Sequence, residues 1–449
     1  METKKKGFPT AFWVCACTEI FERLAYYLGR SLILIFVTAS VATGGLGLSD
    51  TVAANMQSNL TAFSYLLPLF GAVIVDKYIG ARYTTPVGMF IAAAGYFTGG
   101  IAKSSAGVYA MIFLVSLGLA LFKNGAIIGR VITDKSQMDP AFSMRYTLVN
   151  VGAFIGTFLV GILYKDVFAK DGVLGFAPCF KMAALMMVLG GLWYIFVCWR
   201  FLGDLGKLPF KKTLTEEEKA AEAKKKEETG TKQPLTTIEK KRIGAIFVAS
   251  LFSIVFWIFW YLGYMPVYFY WAENMDWVVA GYQVPSTWFD AANSLFCVIL
   301  GPVTAALWKK LAARPQGDIC LFRKTGLGIA IIGVGYLFYA AIDIMRGGEK
   351  ASVLWLIVFA FLLTMGEMFF SPLGHSFISK YSPSRYLAVM MSVWGFATFI
   401  AAKSYGPVYG LLFGGKIEFK VACIGVAVVS FAAALIMIAL DKTLSALVD

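Results

Sequence analysis

Six polar side chains recur at helical spacing within the first long apolar segment of the chain. They are Glu19, Glu22, Arg23, Tyr26, Tyr27 and Arg30. Their offsets from the first member are 3, 4, 7, 8 and 11 residues, which places all of them on one face of an α-helix. Charged side chains are costly within a bilayer, and those found there usually pair with each other or line a wet cavity. Because apolar sequence flanks the stripe on both sides, we interpret it as a functional intramembrane face and not as a set of surface ion pairs.

The composition indicates that a lipid bilayer surrounds most of the chain. Of the 449 residues, 59% are hydrophobic and 15% are charged, and the mean hydropathy is +0.71. A soluble domain of this size could not cover so much apolar surface. Apolar stretches of about 20 residues can span a bilayer as helices. Twelve such stretches have approximate cores at 11–40, 52–75, 83–103, 106–131, 142–164, 178–202, 243–270, 286–312, 324–345, 352–379, 386–412 and 418–440.

The net charge of +13 is distributed unevenly along the chain. Basic residues such as Lys309 and Lys310 fall at segment ends that would share one side, whereas the opposite loops carry acids such as Asp171 and Glu273. By the positive-inside rule, both termini and the middle linker are cytoplasmic. We therefore expect a multi-pass protein of the cell (inner) membrane, whose basic excess reflects topology and not nucleic-acid binding.

A charged stretch divides the apolar segments into two groups of six. We predict an N-terminal six-helix bundle at 1–202, a cytoplasmic linker at 203–242 and a C-terminal six-helix bundle at 243–449. The predicted fold class is an all-α polytopic membrane protein with 12 transmembrane helices in two bundles. This arrangement resembles the major facilitator fold.

The sequence after the second segment is similar to the major facilitator loop motif. It reads Gly71-x4-Asp76-Lys77-x2-Gly80-x-Arg82. We expect the two glycines to permit a tight cytoplasmic turn. Asp76 and Arg82 are expected to pair across the helix ends.

Further segments resemble, in order along the chain, signatures of the proton-dependent oligopeptide transporter family. Glu19-x-x-Glu22-Arg23 followed by Tyr26-Tyr27 is similar to the first-helix signature of that family. The other matching segments are Tyr65-Leu66-x-Pro68, Leu121-Phe122-Lys123, Phe142-Ser143-x-x-Tyr146…Asn150-x-Gly152, Pro285-x-x-Trp288-Phe289…Asn293, Gly366-Glu367…Ser371-Pro372-x-Gly374 and Met390-Met391…Trp394. The ordered set, which covers nearly the whole membrane portion, identifies the chain as a divergent member of this family.

The resemblance implies a role for each matching residue. Those implied in proton coupling are Glu19, Glu22, Arg23 and Lys123. Those implied in substrate binding are Tyr26, Tyr27, Arg30, Tyr65, Lys123, Asn150, Asn293, Glu367, Ser371 and Trp394. Arg30 and Lys123 would meet the substrate carboxylate. Glu367, aided by Asn150 and Asn293, would meet the substrate amino group.

The chemistry of a short peptide fits this set of residues. A peptide zwitterion needs a cationic and an anionic pole held apart in a cavity of low dielectric constant, with adaptable walls for variable side chains. Protonating Glu22 or Glu19 would loosen its pairing with the neighbouring cations and bias the two bundles toward a different opening.

The chain departs from the family pattern at several positions. Tyr261 stands where the family has a carboxylate that pairs with the arginine matched by Arg30, and Arg145 stands where the signature has phenylalanine. We include both as candidate pocket residues. Asn124-Gly125 replaces Pro-Asn after Lys123. Asp290 is expected to be a surface acid at a helix end, and the alternative is that it substitutes for the missing family acid.

The resulting prediction is a proton-coupled symporter of di- and tripeptides that works by alternating access, acts as a monomer and is not an enzyme. With one histidine, no glycine-rich phosphate loop and no metal-ligand spacing, the sequence suggests neither catalysis nor a cofactor other than the coupling proton. The alternatives are a transporter of the same fold for nitrate, an organic anion or a modified peptide, a drug/proton antiporter, and a non-transporting receptor.

Overall fold

The computed structural model describes residues 7–133, 137–209, 235–314, 321–382 and 386–441, and these residues are mostly helical. The helices of the first part are α1 (Thr10–Thr38), α2 (Asp50–Lys77), α3 (Ala81–Ile101), α4 (Ser105–Leu121), α5 (Asn124–Val131), α6 (Met138–Ile162), α7 (Phe176–Trp193) and the short α8 (Trp199–Leu202). Those of the second part are α9 (Thr237–Leu262), α10 (Met265–Tyr268), α11 (Tyr270–Asn274), α12 (Trp288–Ala312), α13 (Leu321–Met345), α14 (Trp355–Tyr381), α15 (Leu387–Phe413) and α16 (Phe419–Ala439).

Within the described ranges, the strands lie in the connections around α11 and α14. They are β1 (Met275–Asp276), β2 (Val278–Val279), β3 (Tyr282–Gln283) and β4 (Ala351–Ser352). The first pairs in parallel with the last, and the middle two form an antiparallel hairpin.

Eight helices within the described ranges are long and apolar enough to cross a membrane. The charged stripe interrupts the apolar run of α1, which is why α1 is not one of these eight. Large apolar side chains such as Phe70, Phe196 and Leu251 are exposed on the helices, as expected where a helix faces lipid. The protein is therefore a multi-pass helical membrane protein, and the number of twelve crossings stays a prediction.

The chain separates into two compact units. The first consists of Met1–Ser49 and Leu66–Leu214, and the second of Asp50–Tyr65 and Thr215–Asp449. The boundary thus falls inside α2, whose first part packs with the second unit. The predicted linker at 203–242 lies largely outside the described residues, and the division into bundles at 1–202 and 243–449 stays a prediction.

Helix α9 begins with a reciprocal cap that its sequence specifies. The backbone N–H of Glu239 donates to Thr236 Oγ1 at 3.2 Å, and the backbone N–H of Thr236 donates to Glu239 Oε2 at 2.9 Å. This capping box satisfies two N–H groups that the first helical turn would otherwise leave without partners.

The loop motif has a different structural role from the expected one. Gly71 lies inside α2, and Gly80 precedes α3 with a φ of −63°, so neither glycine supplies a left-handed turn. A Cβ at Gly71 would instead collide with the Ala120 backbone, and one at Gly80 would collide with the carbonyl groups of Gly206 and Lys207. Gly80 does lie in the short connection between Lys77 and Ala81, as expected, whereas Gly71 lies outside it, and both glycines permit close backbone approach.

Arg82, the last residue of the motif, holds the end of α8. Its guanidinium donates to the carbonyls of Gly203 and of Trp199, the latter at 3.0 Å. A cation at carbonyls that end a helix is favourable because these groups carry partial negative charge. The side chain of Asp76 lies outside the described part of the structure, so its pairing with Arg82 stays a prediction.

Replacing Gly71 with alanine is expected to destabilise the first unit by about 1–3 kcal/mol, the usual cost of overpacking. The added methyl group cannot be accommodated unless α2 and α4 separate. Thermal unfolding in detergent measures the effect. Gly301→Ala is the matched control, because a Cβ there meets no atom within 4 Å. An equal fall in melting temperature for both variants would contradict the close approach of α2 and α4.

Candidate functional site

The polar stripe of α1 is buried in the first unit. The exposed fractions are 2% for Glu19, 0% for Glu22 and 4% for Arg30. Arg23 donates through Nε and Nη2 to the two carboxylate oxygens of Glu22. A buried carboxylate is costly unless it is paired, so this neighbouring guanidinium accounts for the tolerance of a charge at Glu22.

Glu19 is held by two residues from other helices. Arg145 on α6 donates through Nε to Glu19 Oε1 at 3.0 Å. Asn124, the first residue of α5, donates through Nδ2 to the same oxygen at 3.0 Å and to the carbonyl of Cys15 at 2.7 Å. Arg145, a candidate pocket residue, thus contacts the acidic part of the α1 stripe. Asn124 was missed as a site residue, although its place directly after Lys123 was a usable signal.

Lys123 lies at the break between α4 and α5. The preceding Phe122 has an extended ψ of 101°, and Lys123 itself has a φ of −121°, so the helix is interrupted here without a proline. Its Nζ donates to the carbonyl of Pro68 on α2 at 2.8 Å. The structure therefore positions this cation against the second helix.

Aromatic rings follow the cations along α1. The guanidinium carbon of Arg23 lies 4.7 Å from the ring centre of Tyr26, and that of Arg30 lies 5.9 Å from the ring centre of Tyr27. The two tyrosine rings meet edge to face at 5.4 Å. Cations are attracted to the faces of aromatic rings. The stripe therefore combines cationic and aromatic side chains on one face of α1, and its spacing predicted this shared face.

The second unit holds a separate acidic group. Glu367 on α14 is 8% exposed. Asn293 on α12 donates through Nδ2 to Glu367 Oε2 at 3.2 Å and to Thr364 Oγ1 at 2.8 Å. The Cys297 Sγ lies 3.7 Å from the same carboxylate oxygen. The neighbours in these contacts are a neutral amide and a neutral thiol, so none of them is a cation.

Tyrosine and tryptophan rings accompany the acidic group in the second unit. The hydroxyl of Tyr261 donates to the hydroxyl of Tyr65 at 3.2 Å, and its ring stacks on that of Tyr405 at 5.0 Å. Trp394 is buried, with its ring stacked on Phe370 at 6.3 Å. The position that the resemblance assigns to an acid is thus occupied by a hydrogen-bonded phenol.

Asp290 is buried and not a surface acid. Its exposed fraction is 6%, and Tyr268 donates a hydrogen bond to its carboxylate. The expectation was wrong because the segment before α12 folds back over the helix start, with Tyr268 supplied by α10.

The contacts predicted for Asn150 and Ser371 stay predictions. Asn150 donates to the carbonyl of Tyr146 on its own helix at 3.0 Å, so its role with Glu367 stays a prediction. The side chain of Ser371 lies outside the described residues. Lys403, whose partner could not be predicted, donates to Asn59 on α2.

Among the described residues, no cluster of three or more His, Cys, Asp and Glu side chains is arranged to hold a metal ion.

Comparisons with known proteins agree on one family. A sequence model of the POT family (PTR2) matches residues 205–413. The chain is 25% identical to the uncharacterized transporter YclF of Bacillus subtilis, over 89% of this chain and 87% of the relative. It is 24% identical to a di-/tripeptide transporter of Lactococcus lactis, over 86% of each chain.

Solved structures show the same fold. The crystal structure of the peptide transporter POT in complex with sulfate superposes with a TM-score of 0.86 at 23% identity, covering 99% of this chain and 98% of the other. A POT family transporter in complex with 5-aminolevulinic acid gives a TM-score of 0.85 at 23% identity, covering 98% of each. These chains have the major facilitator fold, and the family consists of transporters and not of enzymes. The sequence match over residues 205–413, the related transporters and the shared fold make this chain similar to the POT family of membrane transporters.

Proposed function

We propose that this chain is a proton-coupled symporter of di- and tripeptides that works by alternating access. The observation that carries the proposal is Glu367, a carboxylate buried on an apolar helix with amide and thiol neighbours. An ionisable group in such a place is retained for function more often than for stability. The names of relatives support the substrate class, because the Lactococcus lactis protein is a di-/tripeptide transporter.

The candidate residues include charges suited to each end of a peptide. The cations Arg30 and Lys123 of the first unit suit a carboxylate, and Glu367 of the second unit suits an ammonium group. Charge-assisted hydrogen bonds of this kind are roughly twice as strong as neutral ones. Tyrosine rings such as Tyr26 and Tyr27 suit variable side chains, because they offer apolar area together with a hydroxyl group.

Proton coupling is assigned to the acidic residues of α1. Glu22 is paired with Arg23 when ionised, and protonation removes the attraction that holds the pair. A changed pairing on α1 would then shift the balance between outward-open and inward-open states. We expect a monomer in the cell (inner) membrane with cytoplasmic termini and no cofactor beside the coupling proton.

A second candidate is transport of a small non-peptide zwitterion or organic anion through the same residues. The observation that favours it is the hydrogen-bonded Tyr261 in place of the family acid, together with Arg145 as an added cation. A POT family transporter has been solved with 5-aminolevulinic acid, which also carries an amino and a carboxyl group.

The test is uptake of labelled dialanine into proteoliposomes under an inward proton gradient. We expect accumulation that disappears when a protonophore collapses the gradient. N-acetyl-dialanine and dialanine amide should fail to compete, since each lacks one charged end. Absence of dialanine uptake, together with gradient-driven uptake of labelled 5-aminolevulinic acid that dialanine does not inhibit, would assign the chain to the second candidate.

A further inference from the structure

Two departures from the family signatures meet at one carboxylate, and a third adjoins them. Arg145 on α6 replaces a phenylalanine of the family signature matched at residues 142–152, and Asn124-Gly125 replaces Pro-Asn after Lys123. In the structure, Arg145 and Asn124 both donate to Glu19 Oε1, each at 3.0 Å. Substitutions that are distant in sequence therefore form one local arrangement.

Gly125 provides the space that the guanidinium occupies. A Cβ at this position would lie 3.0 Å from both Cζ and Nη2 of Arg145, which is closer than ordinary van der Waals contact. A side chain at this position would therefore require the guanidinium of Arg145 to shift from its present place. The small residue and the large cation are complementary, as in close-packed protein interiors.

The pairing of Glu19 with Arg145 affects stability because Glu19 is buried. The side chain of Glu19 is 2% exposed, whereas that of Arg145 is 30% exposed. Removing one partner of a buried pair leaves an uncompensated charge and is strongly unfavourable. Arg145, in contrast, can reach water if the pair opens, because its side chain stays partly accessible.

The other titratable groups around Glu19 come from three helical segments. Glu22, Arg23 and Cys15 lie on α1 itself. Cys198 lies in the segment Tyr194–Cys198, next to Cys15 and Thr18. Lys123 adjoins Asn124 at the start of α5. Among the hydrogen-bond partners of Glu19 in the described ranges, Arg145 is the cation that comes from another helix, so it can connect the state of α1 to α6.

We propose that Arg145 is a positioning residue for proton coupling. Its guanidinium occupies the space beside Gly125 and pairs with the Glu19 carboxylate. The pair opens when Glu19 takes up a proton. Protonation cancels the charge of Glu19, so the ion pair between α1 and α6 is lost and α6 can move against α1. This inference rests on the proposed function and adds a coupling residue that the family signature does not contain.

The functional test compares Arg145→Met with Arg145→Lys in proteoliposomes. For Arg145→Met we expect gradient-driven dialanine accumulation to fall at least tenfold, while counterflow exchange without a gradient stays within threefold of wild type. Arg145→Lys keeps the cation and should restore at least half of the driven accumulation. Equal losses of driven uptake and exchange, or wild-type accumulation by Arg145→Met, would overturn the proposal.

A measurement without substrate separates this inference from the proposed function. Glu19→Gln and Arg145→Met should each lower the melting temperature in detergent, because each removes one partner of the pair between α1 and α6. The double variant should melt no lower than the less stable single variant, because the pair can be broken only once. Additive effects of the two substitutions would disprove the pair. If wild type transports no dialanine, the peptide proposal fails, and the thermal experiment still decides whether Arg145 and Glu19 are energetically coupled.

Discussion

Replacing Glu367 with glutamine is expected to weaken dialanine binding by about thirtyfold or more, since truncating one member of a buried charge pair costs about 2–5 kcal/mol. Glutamine keeps the shape of the side chain and can still contact Asn293, but it offers no negative charge to the peptide ammonium group. Isothermal titration of the purified protein with dialanine measures the dissociation constant directly.

The control for Glu367→Gln is a ligand without the ammonium group. N-acetyl-dialanine should bind wild type and variant equally weakly, because neither protein gains from its uncharged amino end. Cys297→Ala removes a neighbouring contact of the carboxylate and leaves the charge in place, so its effect should stay within a few-fold. An unchanged dialanine dissociation constant in Glu367→Gln would remove this residue from the binding site.

Replacing Glu22 with glutamine is expected to abolish proton-driven accumulation while exchange continues. One pH unit corresponds to about 1.36 kcal/mol per proton, or a tenfold concentration ratio. Wild type should therefore concentrate dialanine up to about tenfold per coupled proton at a gradient of one pH unit. The variant should stop near equal concentrations inside and outside, because an amide cannot take up and release the proton. Time courses of labelled uptake and of counterflow measure the two activities.

Glu418→Gln is a suitable control for that experiment. It makes the same chemical change at an exposed carboxylate, whose side chain is 70% accessible and pairs with Lys420 at 3.0 Å. Wild-type accumulation is expected for this variant. Concentrative uptake by Glu22→Gln at the wild-type level would assign the coupling proton to another group.

Local sequence patterns predicted those features that depend on a single helix. The stripe of α1 is a periodic signal within one segment, so helical spacing alone was enough to place Glu22, Arg23, Tyr26 and Tyr27 on one face. The contact between Asn293 and Glu367 was expected as well, but only from the family resemblance, since the two residues are far apart in the sequence.

Features that depend on packing between segments could not be predicted. Asp290 has the sequence context of a helix-start acid, and its burial results from Tyr268 on a different helix. The glycines of the loop motif were assigned to a turn, although the backbone of Ala120 determines the need for Gly71. Likewise, the polar partner of Lys403 is Asn59, which periodicity within either helix gives no means of identifying.

Helix α2 is continuous from Asp50 to Lys77, yet its two parts pack with different units, and the change occurs between Tyr65 and Leu66. Pro68 follows immediately and has no N–H for the carbonyl of Ser64, so the helix lacks one rung of its hydrogen-bond ladder at this place. The Pro68 carbonyl is where Lys123 donates. A substrate carboxylate that attracts this ammonium group would remove its hydrogen bond to the turn of α2 that already lacks one backbone hydrogen bond. We therefore expect substrate binding at Lys123 to make α2 easier to bend near Pro68.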